Sequence, residues 1–203
     1  MTEELLIVYV KNPVPGLVKT RLAAEVGAKT ACRIYEWLLR DTKSAVEGLP
    51  MDVRLSYHST ISRLDMWDNS RYQKTLQKGS NLGEKMYHDI HHALDEGYKK
   101  VCLIGSDIYG LDSDHLLMAF NVLDSYNTVI GPARDGGYYL IGFTAGKKDI
   151  QSVFDGISWG SSMVLRQTTE KLGGTQYGLI ETLRDIDELD DLPESWRKGL
   201  GDK

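Results

Sequence analysis

The stretch from Leu5 to Tyr57 most constrains what this 203-residue chain can fold into. Leu5-Leu6-Ile7-Val8-Tyr9-Val10 is a short, unbroken apolar run followed by Pro13-Val14-Pro15-Gly16. An apolar run of that length, rich in β-branched residues and stopped by Pro and Gly, predicts a strand covered on both faces. Apolar positions at Ala31, Ile34, Tyr35, Leu38, Thr42, Ala45, Val46 and Leu49 then fall on one helical face. Val53-Arg54-Leu55-Ser56-Tyr57 alternates and predicts a second strand. Two strands joined by a long helix form a βαβ unit, whose crossover makes the strands parallel.

The same pattern continues along the chain. Leu82, Met86, Ile90, Ala93 and Leu94 mark a helix that closes near Gly97, and Val101-Cys102-Leu103-Ile104-Gly105 reads as the central strand. A helix follows through Leu116, Leu117, Phe120 and Leu123, capped by Ser113 or Asp114. Thr128 to Pro132 and Tyr138 to Phe143 are predicted strands, Met163 to Leu172 a late helix, and Leu179 to Leu183 a last short strand. The expectation is an α/β fold with a mostly parallel sheet flanked by helices, in one domain spanning residues 1–203. No internal repeat or linker interrupts it.

Lys and Arg number 24 against 29 Asp and Glu, a net charge of −5. Such a chain has no global attraction for nucleic acid or anionic lipid, so a phosphate site must be local. Cys32 and Cys102 belong to no paired metal-ligand spacing and read as buried thiols in a reducing cytoplasm. The N-terminus has neither the basic region nor the long apolar region of a signal peptide, and no apolar stretch approaches the ~20 residues of a membrane span. A cytoplasmic location is expected.

In open α/β sheets, ligands bind beyond the carboxyl ends of the strands. Four segments lie there. The first carries Lys11, Gly16, Lys19 and Arg21; the second is Gly105-Ser106-Asp107; the third runs from Gly131 to Gly137 with Asp135; the fourth is Asp185-Ile186-Asp187. Cations from one loop and carboxylates from three others are the composition of a site for a polyanion with a divalent metal. The first loop lacks the Gly-Lys-Ser/Thr ending of a Walker A motif, yet Gly16 with Lys19-Thr20-Arg21 at a helix start suits phosphate. A solvated basic turn is the alternative there. Asp107 emerges beside glycine at the sheet's binding edge, placed for a metal or a ribose hydroxyl; a turn aspartate is the alternative. Gly136 and Gly137, next to Asp135, would let a sugar or base lie against bare backbone, although a plain hairpin turn has the same composition. If Ile186 packs inward, Asp185 and Asp187 both face the other way. His88, His91 and His92 fall off the apolar face of their helix and read as a solvent-facing cluster. Serine-hydrolase, zincin and dinucleotide-binding motifs are absent.

Six segments occur in the order of one family: Lys11 to Leu22, Gln77-Lys78-Gly79-Ser80-Asn81-Leu82-Gly83-Glu84, Gly105-Ser106-Asp107, Gly131 to Gly142, Trp159, and Asp185-Ile186-Asp187. The chain resembles glycosyltransferase-like proteins associated with radical-SAM/selenodomain genes, which are candidate nucleotide-diphospho-sugar transferases. It is more distantly similar to 2-phospholactate guanylyltransferases and molybdenum-cofactor nucleotidyltransferases. The resemblance implies the Rossmann-like nucleotide-diphospho-sugar transferase fold of glycosyltransferase A type. It implies a nucleotide or nucleotide sugar held by Lys11, Gly16, Lys19, Arg21, Gln77, Gly105 and Ser106. A small-molecule acceptor or sugar would lie against Gly136, Gly137 and Tyr138. Mg²⁺ or Mn²⁺ would sit on Asp107 and Asp187, and Asp107 and Asp135 would be the catalytic residues. The expected reaction is glycosyl transfer; nucleotidyl transfer with release of pyrophosphate and a non-catalytic nucleotide-binding module are the alternatives. Two positions depart from the family pattern, Tyr109 in place of Pro and Asn81 in place of Asp.

Overall fold

The computed structural model describes residues 2–173 and 176–198. The first half runs β1 (Glu4–Val10), α1 (Thr20–Val26), α2 (Ala28–Val46), β2 (Asp52–Tyr57), β3 (Gln73–Leu76) and α3 (Leu82–Asp95). The second half runs β4 (Lys100–Ile104), β5 (Ile108–Tyr109), α4 (Ser113–Val122), β6 (Thr128–Pro132) and β7 (Tyr138–Thr144). It ends with α5 (Ile150–Phe154), α6 (Val164–Lys171), β8 (Gly178–Leu179), β9 (Arg184–Asp185), a 3₁₀ turn at Leu189–Asp191, and α7 (Glu194–Lys198).

Seven strands form one sheet in the order β3-β2-β1-β4-β7-β6-β8. β1 pairs in parallel with both β2 and β4, as the βαβ reading requires. Only β7 runs against its neighbours, because the short turn after β6 sends the chain straight back as a hairpin that inserts beside β4. The mostly parallel, helix-flanked α/β fold is therefore as expected.

The unbroken apolar runs serve two cores at once. Leu6, Val8 and Val10 of β1 pack with Cys102 and Ile104 toward α2 and α4. Leu5 and Ile7 pack with Val101 and Leu103 toward α3 and α5. A strand whose side chains alternate between two covered faces has no polar face to show. A third cluster joins Leu22 of α1 and Ile34 and Leu38 of α2 to Ile186 and Leu192 near the C-terminus.

Several boundaries differ from the sequence reading. The long helix begins at Ala28, behind the separate helix α1, and ends before Leu49. α4 is capped by Asp112, whose carboxylate accepts the Asp114 and His115 N–H groups, rather than by Ser113 or Asp114. The expected strand from Leu179 to Leu183 is broken: Leu179 ends β8, and Leu183 makes only an isolated bridge to Ala133. No helix among the described residues is long and apolar enough to cross a membrane.

Candidate functional site

A cleft of about 740 Å³ opens at the carboxyl ends of β1, β2, β3 and β4. Its acidic end is built by backbone pairing. β5, just past Asp107, pairs antiparallel with β9, and the Ile186 N–H donates to the Asp107 carbonyl at 3.2 Å. Ile186 is fully buried, so the alternation presents Asp185 and Asp187 to the cleft on either side of it. Asp191 fixes the turn that follows, accepting the N–H groups of Asp187 at 3.0 Å and Glu188 at 2.8 Å.

Lys19 stands between two of these carboxylates. Its ammonium donates to Asp107 Oδ2 at 2.8 Å and to Asp187 Oδ1 at 2.9 Å. The lysine side chain is 4% exposed, whereas the carboxylates are 40% and 43% exposed and face the cleft. The Lys19 backbone is left-handed (φ 48°, ψ 51°) where the chain enters α1. Burial alone would pull the Lys19 pKa down, but Asp107 and Asp187 outweigh it and hold the ammonium above the ordinary lysine value. Burial would raise Asp107, and Lys19 outweighs that, so Asp107 stays below the usual carboxylate range. Asp185 behaves differently: burial first, then repulsion by Asp135, Asp187 and Asp107, push it up to about 6.

The first loop and the Asp107 loop are tied together through α2. The Tyr35 hydroxyl accepts the Lys11 N–H at 2.9 Å and shares a hydrogen bond of 2.9 Å with Ser106 Oγ. Burial pushes this phenol up to about 12, so it stays protonated. Arg21 lies exposed on the cleft wall in the first turn of α1. On the far side Gln77 donates from Nε2 to the Ser56 carbonyl at 3.0 Å, and Lys85 Nζ lies 3.5 Å from His58 Nδ1. Asp135 accepts the Gly137 N–H at 2.7 Å, which closes the β6–β7 turn. Tyr138 lies edge-on to Trp159, and Trp159 rests on Gly83, where an added Cβ would come within 2.8 Å of the indole.

Lys11, Lys19, Arg21, Gln77, Gly105, Ser106, Asp107, Asp135, Gly137, Tyr138, Asp185 and Asp187 thus meet in one cleft. Gly16 and Gly136 lie off its wall. Gly136 is instead pressed against the Ser162 backbone. Asn81, in place of an acid, caps α3: its Oδ1 accepts the Glu84 N–H and its Nδ2 donates to Glu84 Oε1. Tyr109 stacks edge-on against Trp196 at 5.5 Å. His91 and His92 pair with Asp95 and Glu96 on the exposed face of α3, away from the cleft. Tyr35, His58 and Lys85 are cleft residues that sequence reasoning missed. Tyr35 is indistinguishable from a core position in the helical pattern, and His58 and Lys85 are brought together only by the order of the strands.

Among the described residues, no three His, Cys, Asp or Glu side chains are arranged as a metal cage. Two cleft-facing carboxylates nonetheless suit a hard cation that takes its remaining ligands from phosphate and water, the usual manner of Mg²⁺.

The sheet order thus places a cleft lined by acidic and basic side chains at its carboxyl edge, the position where open α/β sheets bind ligands. The chain belongs to the family described as "uncharacterized protein conserved in bacteria" (DUF2064), whose model matches residues 43–161. A candidate nucleotide-diphospho-sugar transferase from Desulfovibrio desulfuricans G20, of known crystal structure, is 34% identical, with a TM-score of 0.87 over 100% of this chain and 90% of that one. The 4-diphosphocytidyl-2C-methyl-D-erythritol synthase of Anaerococcus prevotii DSM 20548 is 12% identical, with a TM-score of 0.54 over 94% and 92%. Rv0371c of Mycobacterium tuberculosis H37Rv, crystallised with manganese, is 13% identical, with a TM-score of 0.50 over the whole of both chains. At such identities these last two share the fold alone. No curated protein matches the chain.

Proposed function

We propose that this protein is a transferase that takes a nucleotide-diphospho-sugar as donor, with a divalent cation at Asp107 and Asp187, and moves the glycosyl group to a small-molecule acceptor. The observation that carries the reading is the meeting of Asp107 and Asp187 on Lys19 in a cleft that also presents Lys11 and Arg21. The likeness to the Desulfovibrio protein over the whole chain supports it.

Asp107 and Asp187 would hold Mg²⁺ or Mn²⁺, which when bound supplies charge neutralisation for the diphosphate. Lys11, Lys19 and Arg21 are the cations available to the phosphate oxygens as the nucleoside diphosphate leaves. Gln77 and the Gly105–Ser106 backbone flank the nucleoside. Asp135, Gly137 and Tyr138 orient the sugar or the acceptor. The acceptor oxygen bonds to the anomeric carbon, the bond from that carbon to the diphosphate breaks, and a cleft carboxylate accepts the acceptor's proton.

A second reading is nucleotidyl transfer, in which a phosphorylated substrate attacks the α-phosphate of a nucleoside triphosphate and pyrophosphate leaves. The additional ammonium of Lys85, beside His58 along the same cleft, favours a more highly charged ligand set. A thermal-shift panel of nucleotide sugars and nucleoside triphosphates, with and without Mg²⁺ or Mn²⁺, tests both. A ligand at ~100 times its Kd adds ~2.7 kcal/mol and raises Tm by roughly 5–11 °C. The shift should need metal and be lost in Asp107→Asn. A shift with nucleotide sugars and release of nucleoside diphosphate supports the first reading; a shift with triphosphates and release of pyrophosphate supports the second. A panel in which nothing shifts Tm overturns both.

A further inference from the structure

The place where a divalent cation would sit between Asp107 and Asp187 is taken by this chain's own ammonium group. The contact is built into the fold. Lys19 is buried, its backbone is left-handed, and the backbone on which both carboxylates stand is held by the adjoining β5–β9 pairing and the Asp191 turn. Three charges therefore stand as two acids and one base.

Each ligand arriving alone meets an obstacle. A free divalent ion must displace a buried ammonium and leave it without a counter-charge, and an unpaired buried charge is costly. A free polyphosphate meets a lysine already committed to two acids, and those acids repel it. A metal–polyphosphate complex meets neither difficulty. Its cation replaces the ammonium on the carboxylates, and its phosphate oxygens take the ammonium. The ion pairs are exchanged, and none is lost.

The geometry points to Lys19 as an exchangeable counter-ion that makes the cleft select the metal chelate of a polyphosphate over the free metal or the free anion. This rests on the nucleotide-and-metal reading above and adds what sets the form of ligand the site accepts. Binding of metal and of phosphate is then reciprocal, each strengthening the other by the same factor.

The experiment uses the full chain with Mn²⁺ alone, inorganic pyrophosphate alone, and the Mn²⁺–pyrophosphate complex as probes. In the wild-type protein the chelate should raise Tm by more than the two separate shifts together, an arm that needs no variant. Mn²⁺ binding without any anion, followed by electron paramagnetic resonance, should strengthen at least tenfold in Lys19→Met, and the extra shift given by the chelate should shrink in that variant. Wild-type shifts that merely add, or Lys19→Met binding Mn²⁺ no more tightly than wild type, overturn the exchange and leave the nucleotide reading standing. Wild-type protein that responds to none of the three probes, nor to any member of the nucleotide panel, overturns that reading and the exchange with it.

Discussion

At Tyr35 a single hydroxyl joins the first loop, α2 and the loop that carries Asp107. Its ring is part of the core, so Tyr35→Phe should keep the packing and remove only the junction. That leaves the Lys11 N–H and Ser106 Oγ without their partner, a loss on the order of 1–3 kcal/mol. Urea denaturation should show an earlier midpoint with an unchanged m-value; an unmoved midpoint would mean that water replaces the hydroxyl at no cost. Asp89 offers a pH-dependent counterpart. It accepts from Ser56 Oγ at 2.6 Å, and burial pushes its pKa above the ordinary carboxylate value by more than Ser56, Tyr9 and Arg54 pull it down. The folded state thus holds this proton more tightly than the unfolded chain. Its contribution is complete below the ordinary value of ~4 and is lost as pH rises through the raised one. Asp89→Asn keeps an acceptor for Ser56 and removes the charge. It should raise Tm at pH 7.5 and change it little at pH 4; equal shifts at both would mean that charge is not the cause. Asp190 lies off the cleft wall, with a side chain 98% exposed. Its neighbour Asp191 is different, since its carboxylate holds the turn that carries Asp187.

Which elements were legible follows from how each is stabilised. β1, β4 and β6 read clearly because both of their faces are buried, and α2 because one face is apolar over five turns. β3 went unread: it has four residues at the sheet edge, none of them buried. β5 and β9 have two residues each and exist only because their backbones find one another across the fold. α1 has one fully buried side chain, Leu22, too few for a periodic signal. The acidic end of the cleft was still within reach, since Asp185 and Asp187 could be placed from their alternation about Ile186. The sequence suggests bare backbone for a ligand at the glycines after β6, and there the fold gives a partly different reason. Gly136 has φ 89°, and a Cβ on it would lie 2.2 Å from the Ser162 carbonyl oxygen. Gly136→Ala should therefore cost roughly 1–3 kcal/mol from backbone strain alone, with more from the clash, and should loosen the segment ahead of α6. A thermal melt checks this; a Tm within a degree of wild type would mean that the turn relaxes freely.

Across the whole molecule, the C-terminal segment works as a clasp on the N-terminal half. The first loop supplies Lys19, the loop after β4 supplies Asp107, and the segment after Leu183 supplies Asp187, so the site joins three segments distant in sequence. The same segment covers α1 and α2: Ile186 and Leu192 are buried against Leu22, Ile34 and Leu38, and Trp196 meets Trp37 edge-on at 5.3 Å. The Leu189 N–H adds a bond of 3.0 Å to Glu25 of α1. Burying Ile186 and Leu192 contributes ~1.5–3 kcal/mol each, together a large part of a domain's ~5–15 kcal/mol. A chain ending at Leu183 should therefore lose roughly 3–6 kcal/mol, melt well below wild type and be cut sooner by protease near α1. If Asp107 and Asp187 together hold the cation, as proposed above, the chelate cannot restore it, because Asp187 is gone. Ile186→Ala separates the two effects. It keeps every charge, costs ~2–5 kcal/mol from the cavity, and should still be stabilised by Mn²⁺–pyrophosphate, whereas the truncated chain should show no such rescue. Circular-dichroism melts of the three proteins with and without the chelate measure this; a truncated chain that gains as much Tm from the chelate as wild type would show that the C-terminal segment packs beside the site without taking part in it.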